Sequence, residues 1–265
     1  MRRPRIPRPL FVAMSTVLAP VMTTTPFLTD VASAQARHYP LESVEGLRLH
    51  NVRAEPATLH GKTGLRLTIA QETARRLERM SPEERRQFQA PASLAPELLA
   101  WIEGLEFSSG VIEAEIAGAP APGAGEGARG FVGIAFRLQE DWKTYDAFYL
   151  RPTNGRAEDQ QRRNHATQYI SHPEWSWFRL RQETPSKYEA YVDLVPGEWT
   201  KIKIEVRGDQ ARLYVHGNEQ PTLIVNDVKS GADRKGAVAL WLGPGTVAHF
   251  RNLRVEGISA PGASK

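Results

Sequence analysis

The chain has 265 residues, 41% hydrophobic and 24% charged, with 34 basic and 30 acidic residues and no cysteine. The absence of cysteine excludes disulfides, thiol catalysis and a cysteine-linked lipid anchor. The formal charge of +4 is no footprint for nucleic acid, because the excess of arginine is concentrated at the N-terminus.

Residues 1–36 read as a secretory signal peptide. MRRPRIPRPL is a basic start, LFVAMSTVLAPVM is an apolar run, and VASAQA places Ala34 and Ala36 at the −3 and −1 positions of a cleavage site. The apolar run is too short and too interrupted for a membrane span of about 20 residues. Removing residues 1–36 takes four arginines and one aspartate away, which leaves 30 basic and 29 acidic residues. The expectation is a periplasmic or secreted protein with no nucleic-acid partner and no membrane span. Its single domain covers residues 37–258, followed by a disordered tail at 259–265.

From residue 47 onward the sequence is dominated by short alternating runs. LRLHNV and GLRLTIA come first, then GVIEAEIAG, FVGIAFRLQ, TYDAFYLRP, ATQYIS, SWFRLR and YEAYVDL. WTKIKIEV, ARLYVHG, PTLIV, GAVALWLG and FRNLRVEG close the series. Apolar residues recur with period two, and turn residues bound each run, as in antiparallel strands with turns every ~8–12 residues. RGDQAR reads as a hairpin around Gly208 and Asp209, and His216–Pro221 as a second turn. This predicts an all-β fold, a sandwich or barrel. Two segments depart from it. About 71–100 is rich in helix formers, with Ser81 and Pro82 able to start a helix, and 117–130 is a low-complexity loop predicted to be flexible.

Alternation also assigns faces. Val132, Ile134, Phe136 and Leu138 form a core face, as do Phe148 and Leu150, Phe178 and Leu180, and Val238, Leu240 and Leu242. The opposite face then carries Arg137, Tyr145, Tyr149, Arg151, Trp177, Arg179 and Trp241, beside the small residues Gly133, Ala135, Ala147 and Ala239. Flat rings with a polar tip and planar guanidinium forks suit a saccharide, which has an apolar C–H face and many hydroxyls. Two readings stay open: a groove for a saccharide or glycoconjugate, or a second core covered by a loop or helix.

The stretch EWTKIKIEVRGDQARLYVHG, then GAVALWLGPGTVAHFRNLRV, with GVIEAEI and GFVGIAFR upstream, resembles the concanavalin A-like superfamily. Within it, the chain is similar to laminin-G-like domains and to the 3-keto-disaccharide hydrolase-like domain family. The resemblance covers most of residues 105–256. It implies a two-sheet antiparallel jelly-roll sandwich, here with a short helical excursion, that takes ligands on its concave face or rim loops. The E-x-D-x-x-E triplet of laminarinase-type glycoside hydrolases is absent. Glu113 and Glu115 share a strand face, which is a common arrangement on a solvated strand and no sign of the carboxylate pair that glycoside hydrolysis requires.

The polar stretch RPTNGRAEDQQRRNH, residues 151–165, joins two strands of this face. Asp159, His165 and Glu174 are the candidate acid–base groups. Arg151, Asn154, Arg156, Arg163, Asn164 and Gln168 are candidate ligand-binding residues, or else members of an internal network that orders a long loop. No zinc spacing or phosphate loop occurs. No cofactor is expected beyond a structural calcium, which the resemblance allows at Asp209 or Asp227. Three functions follow as expectations: saccharide binding, glycoside cleavage, and a non-catalytic protein-interaction module with a filled concave face.

Overall fold

A computed structural model describes residues 36–81, 83–84 and 96–257. The expected signal peptide, the centre of the helical excursion and the C-terminal tail lie outside the described residues.

Two antiparallel sheets form a sandwich. One joins β1 (Arg37–Tyr39), β3 (Val52–Leu59), β4 (Lys62–Ile69), β6 (Gly110–Pro120), β11 (Thr200–Arg207), β12 (Gln210–Val215), β13 (Leu223–Val225) and β15 (Thr246–Gly257). Its spatial order is β13-β12-β11-β6-β15-β4-β3, with β1 paired to β15. The other joins β2 (Leu47–His50), β5 (Leu99–Phe107), β7 (Val132–Leu138), β8 (Tyr145–Leu150), β9 (Thr167–His172), β10 (Glu189–Ala190) and β14 (Gly236–Leu242), in the order β10-β9-β8-β7-β14-β5-β2. The predicted fold class is therefore observed.

The sheets differ in what covers them. β11 and residues 110–116 of β6 alternate strictly: Ile112, Ala114, Ile116, Ile202, Ile204 and Val206 are buried between the sheets. Glu113, Glu115, Lys203 and Glu205 point outward and pair, for example Arg254 with Glu113 at 3.1 Å and Lys62 with Glu115 at 3.1 Å. The wet face explains the clean period of two. In β7 and β8 every residue is buried. Phe136, Phe148 and Tyr169 face the inter-sheet core, and something must also cover the outer side.

That cover comes from segments that the periodicity misreads. SWFRLR is not a strand: residues Trp177–Glu183 form helix α3. Ser176 caps it by accepting from the Arg179 backbone N–H at 3.4 Å. Over five residues, Phe178 and Leu180 satisfy a strand pattern while Trp177 and Arg181 satisfy a helical one, and the cap decides. Only Glu189–Ala190 of YEAYVDL pairs as a strand. A short helix α2, Gln160–Asn164, lies within the polar loop. The helical excursion opens with α1, Gln71–Glu78, after which Ser81 and Glu84 exchange the two hydrogen bonds of a capping box. Residues 117–120 belong to β6, paired with β15. Their small side chains have a packing cause: a Cβ on Gly118 would lie 2.2 Å from the Gly130 carbonyl oxygen.

Candidate functional site

On the outer face of the seven-stranded sheet, Trp241, Gly133, Tyr149, Gln168 and Glu189 lie opposite one another from strand to strand. Gly133 has no side chain, so the flanking rings meet over it. Tyr149 stacks on Trp241 with centroids 4.6 Å apart. Tyr149 is 3% and Trp241 9% exposed, so these rings spend their faces mainly on each other.

The polar loop, α3 and the segment before β5 frame a cleft of about 1380 Å³ over this row. Tyr145, Tyr149, Arg151 and Asn154 line it together with Asp159, His165, Trp177 and Trp241. Arg181 also lines it, one helical turn after Trp177, with its guanidinium 4.8 Å from the Trp177 ring centre.

The arginines of the loop hold the loop. Arg151 donates to the His165 carbonyl at 3.0 Å, to Glu189 Oε1 at 3.1 Å, and to Tyr149 Oη and Gln168 Oε1 at 2.9 Å each. Arg162 donates to Asn154 Oδ1 at 3.0 Å, and Asn154 donates in turn to the His165 carbonyl. Arg156 forms a two-pronged pair with Asp193 at the surface, 2.8 Å for each bond. Arg163 reaches the Tyr191 hydroxyl, and Asn164 accepts from Gln160. Gln168 is fully buried and donates to the carbonyls of Tyr169 and Tyr188. Arg156, Arg163, Asn164 and Gln168 are thus outside the cleft lining.

Two further expected residues face elsewhere. Arg137 does not share the face of Tyr149. Ala237 pairs with Leu138 and Ala239 with Ala135, so Val238 alone opposes both Phe136 and Arg137. This bulge, with Arg137 at φ 56°, breaks the alternation. The guanidinium donates to the carbonyls of Ser108, Gly208 and Gly231 and to Ser230 Oγ, 3.9 Å from buried Asp146. Arg179 lies on the far side of α3, paired with Glu183 at 2.7 Å and over the Trp175 ring.

Of the three acid–base candidates, Asp159 and His165 line the cleft and Glu174 does not. Asp159 caps α2 by accepting from the Arg162 backbone N–H at 2.6 Å, and Glu174 is exposed outside the cleft. His165 stands 3.5 Å from Glu189, which also receives both Arg151 and Arg181. Burial holds the His165 imidazole below the usual histidine range; Arg181 and Arg151 add to this, and Glu189 opposes it.

A second cluster was not visible as a site in the sequence. Glu97, ahead of β5, accepts from the Tyr145 hydroxyl through Oε2, and His172 Nδ1 lies 3.0 Å from its Oε1. Trp241 Nε1 donates to the Tyr145 oxygen at 3.1 Å, and His172 Nδ1 lies 3.2 Å from it. Burial, then Glu97, pushes the Tyr145 phenol well above its usual range, which keeps it a proton donor. All four residues line the cleft. His172 ends β9, and no motif or spacing in the sequence marks it. Glu97 fell inside the helical excursion, where no periodicity marked it.

Among the described residues, no three histidine, aspartate or glutamate side chains converge as a metal site. Asp227 pairs with Lys187 and Lys229 at 2.8 Å each, so its charge is already met. The Asp209 carbonyl accepts from the Val228 N–H. No helix among the described residues is long and apolar enough to cross a membrane.

Among solved structures, the chain is similar to a Bacillus subtilis protein of unknown function with a galectin-like fold. The TM-score is 0.51 at 12% identity, over 84% of this chain and 96% of that one. It is also similar to the carbohydrate-binding module CBM66 from Bacillus subtilis, with TM-score 0.47 and 12% identity over 79% of this chain and 95% of that one. No curated protein matches the chain. The sequence pattern of one family matches residues 104–256, more than half of the 265. That match carries the assignment: the chain belongs to the 3-keto-α-glucoside-1,2-lyase-like domain family.

Proposed function

We propose that the protein binds a saccharide in the cleft on the outer face of its seven-stranded sheet. One observation carries this reading. The cleft joins flat apolar rings, Phe131, Trp177 and Phe178, to charged and imidazole groups, Glu97, His165, His172 and Arg181. Sugars present both kinds of surface at once. The polar loop is a fixed wall, because its arginines are engaged internally. Isothermal titration against neutral and acidic oligosaccharides is the test. Binding that weakens about tenfold in Trp177→Ala, a loss of ~1.4 kcal/mol, supports the reading. No heat with any saccharide rejects it.

A second reading is glycoside cleavage, favoured by the family match and by acid–base groups that open on the cleft. A 3-keto-α-glucoside is the substrate class that the family's description names. In such a sugar the C2 hydrogen is acidic because C3 is a carbonyl, so a base can start an elimination across C1 and C2 without two opposed carboxylates. Release of the C1 substituent from a 3-keto-α-glucoside, with formation of an unsaturated 3-keto sugar, is the expected signature.

The first 36 residues fit an export signal, and we infer a periplasmic or extracellular location from them. N-terminal sequencing of the protein recovered from cells tests this, with Arg37 expected as the first residue.

A further inference from the structure

We propose that His172 is the base of the cleavage reaction, aimed by Glu97 and Tyr145; this inference rests on the cleavage reading above. The argument is an account of protons. Trp241 Nε1 can only donate, and it gives its hydrogen to the Tyr145 oxygen at 3.1 Å. The phenol has one hydrogen and gives it to Glu97 Oε2. The contact between His172 Nδ1 and Glu97 Oε1 at 3.0 Å must then be filled by a hydrogen on Nδ1. Nδ1 is also 3.2 Å from the Tyr145 oxygen, whose hydrogen is already committed. Neutral His172 therefore has a free lone pair on Nε2. The side chain is 15% exposed and lines the cleft, and Nε2 has no hydrogen-bond partner among the described residues.

A carboxylate that fixes one ring nitrogen sets the tautomer and aim of the other. His165 lacks this arrangement, since its neighbour Glu189 is held by two guanidinium groups.

The step balances without an oxidant. Nε2 removes the C2 proton, and the C–H electron pair moves into the C3 carbonyl as an enolate. The pair returns to form the C1=C2 bond as the C1–O bond breaks. The leaving oxygen takes that bond's electrons and the proton held on His172. The products are an alcohol and a 1,2-unsaturated 3-keto sugar. His172 is the catalytic residue here, and Glu97 and Tyr145 are positioning residues.

Two measurements on the full protein test the proposal. In ¹⁵N-labelled wild-type protein, the imidazole signal that disappears in H172Q should show the Nδ1–H tautomer. The E97Q variant should shift that signal towards the Nε2–H form. With an aryl 3-keto-α-glucoside as probe, H172Q should lower kcat by about 100-fold or more with little change in KM. E97Q should lower it by about tenfold or more, and E97D should restore part of it. An Nε2–H tautomer in the wild type overturns the proposal whether or not the variants fold. Turnover that survives in H172Q overturns the assignment and leaves the cleavage reading in place. A wild-type protein that releases no aryl group removes the cleavage reading and the assignment together.

Discussion

The Tyr149 ring lies on the Trp241 ring across the strand that carries Gly133, with 26° between the ring planes. Two large residues on β8 and β14 meet because the residue between them has no side chain. A Cβ at Gly133 would sit 2.2 Å from the Phe148 carbonyl oxygen and 2.6 Å from Tyr149 Cβ. Neither atom is at the end of a flexible chain, so the strands themselves would have to move. Gly133→Ala should destabilise the protein by roughly 1–3 kcal/mol, read from urea unfolding. A stability equal to wild type would mean that the ring pair does not depend on the glycine.

Arg137 illustrates how a buried charge is held in this sandwich. Burial drives the Asp146 carboxyl above the usual carboxylate range, while Ser230, Tyr169 and Arg137 work against that shift. Arg137→Met leaves the carboxyl beside three unpaired carbonyls and should cost about 3–5 kcal/mol. Arg137→Lys should recover little, because one ammonium cannot reach the carbonyls of Ser108, Gly208 and Gly231 together. The double variant Arg137→Met/Asp146→Asn should be more stable than Arg137→Met alone. Equal stabilities would show that the two side chains are not coupled.

The sequence made the fold legible where one side of a strand is wet. The alternation in TKIKIEV and GVIEAEI assigns the residues of β11 and the first seven of β6 to their faces, because water sits on one side. In β7 and β8 both sides are buried, so alternation could separate the faces but could not say what covers the outer one. Arg137 escaped because a single extra residue in β7 reverses the side-chain direction. Trp177 reached the cleft by a different route from the one expected, on a helix instead of a strand. Glu97 was invisible because its role depends on Tyr145 and His172, 48 and 75 positions away.

His165 gives a titration test of the cleft's electrostatics. Its imidazole lies below the ordinary histidine value, first through burial and then through Arg181 and Arg151, against Glu189. A histidine kept neutral by the fold stabilises it above the ordinary value of 6.5. That stability is lost as the pH falls through the unfolded value towards the lowered one. Proton NMR should show the His165 ring titrating below pH 6.5. Arg181→Met removes a neighbouring positive charge and frees part of Glu189, so it should move the titration upward. No movement would show that Arg181 and His165 do not interact.

Asp227 offers the complementary case on the acid side. Burial alone would raise its carboxyl, but the Lys187 and Lys229 ammonium groups and the Tyr188 hydroxyl outweigh burial and bring it to about 2, against an ordinary 3.8. The folded state thus favours the ionised form. The resulting stability is complete above pH 3.8 and drains away as the pH falls towards 2. The side chain is 38% exposed, so solvent screening reduces the contribution to about 1 kcal/mol. Asp227→Asn should therefore be about 1 kcal/mol less stable than wild type at neutral pH. The gap should close as both proteins are unfolded at progressively lower pH through that window. A gap that stays constant with pH would assign the loss to hydrogen-bond geometry at Tyr188 instead of to the two lysines.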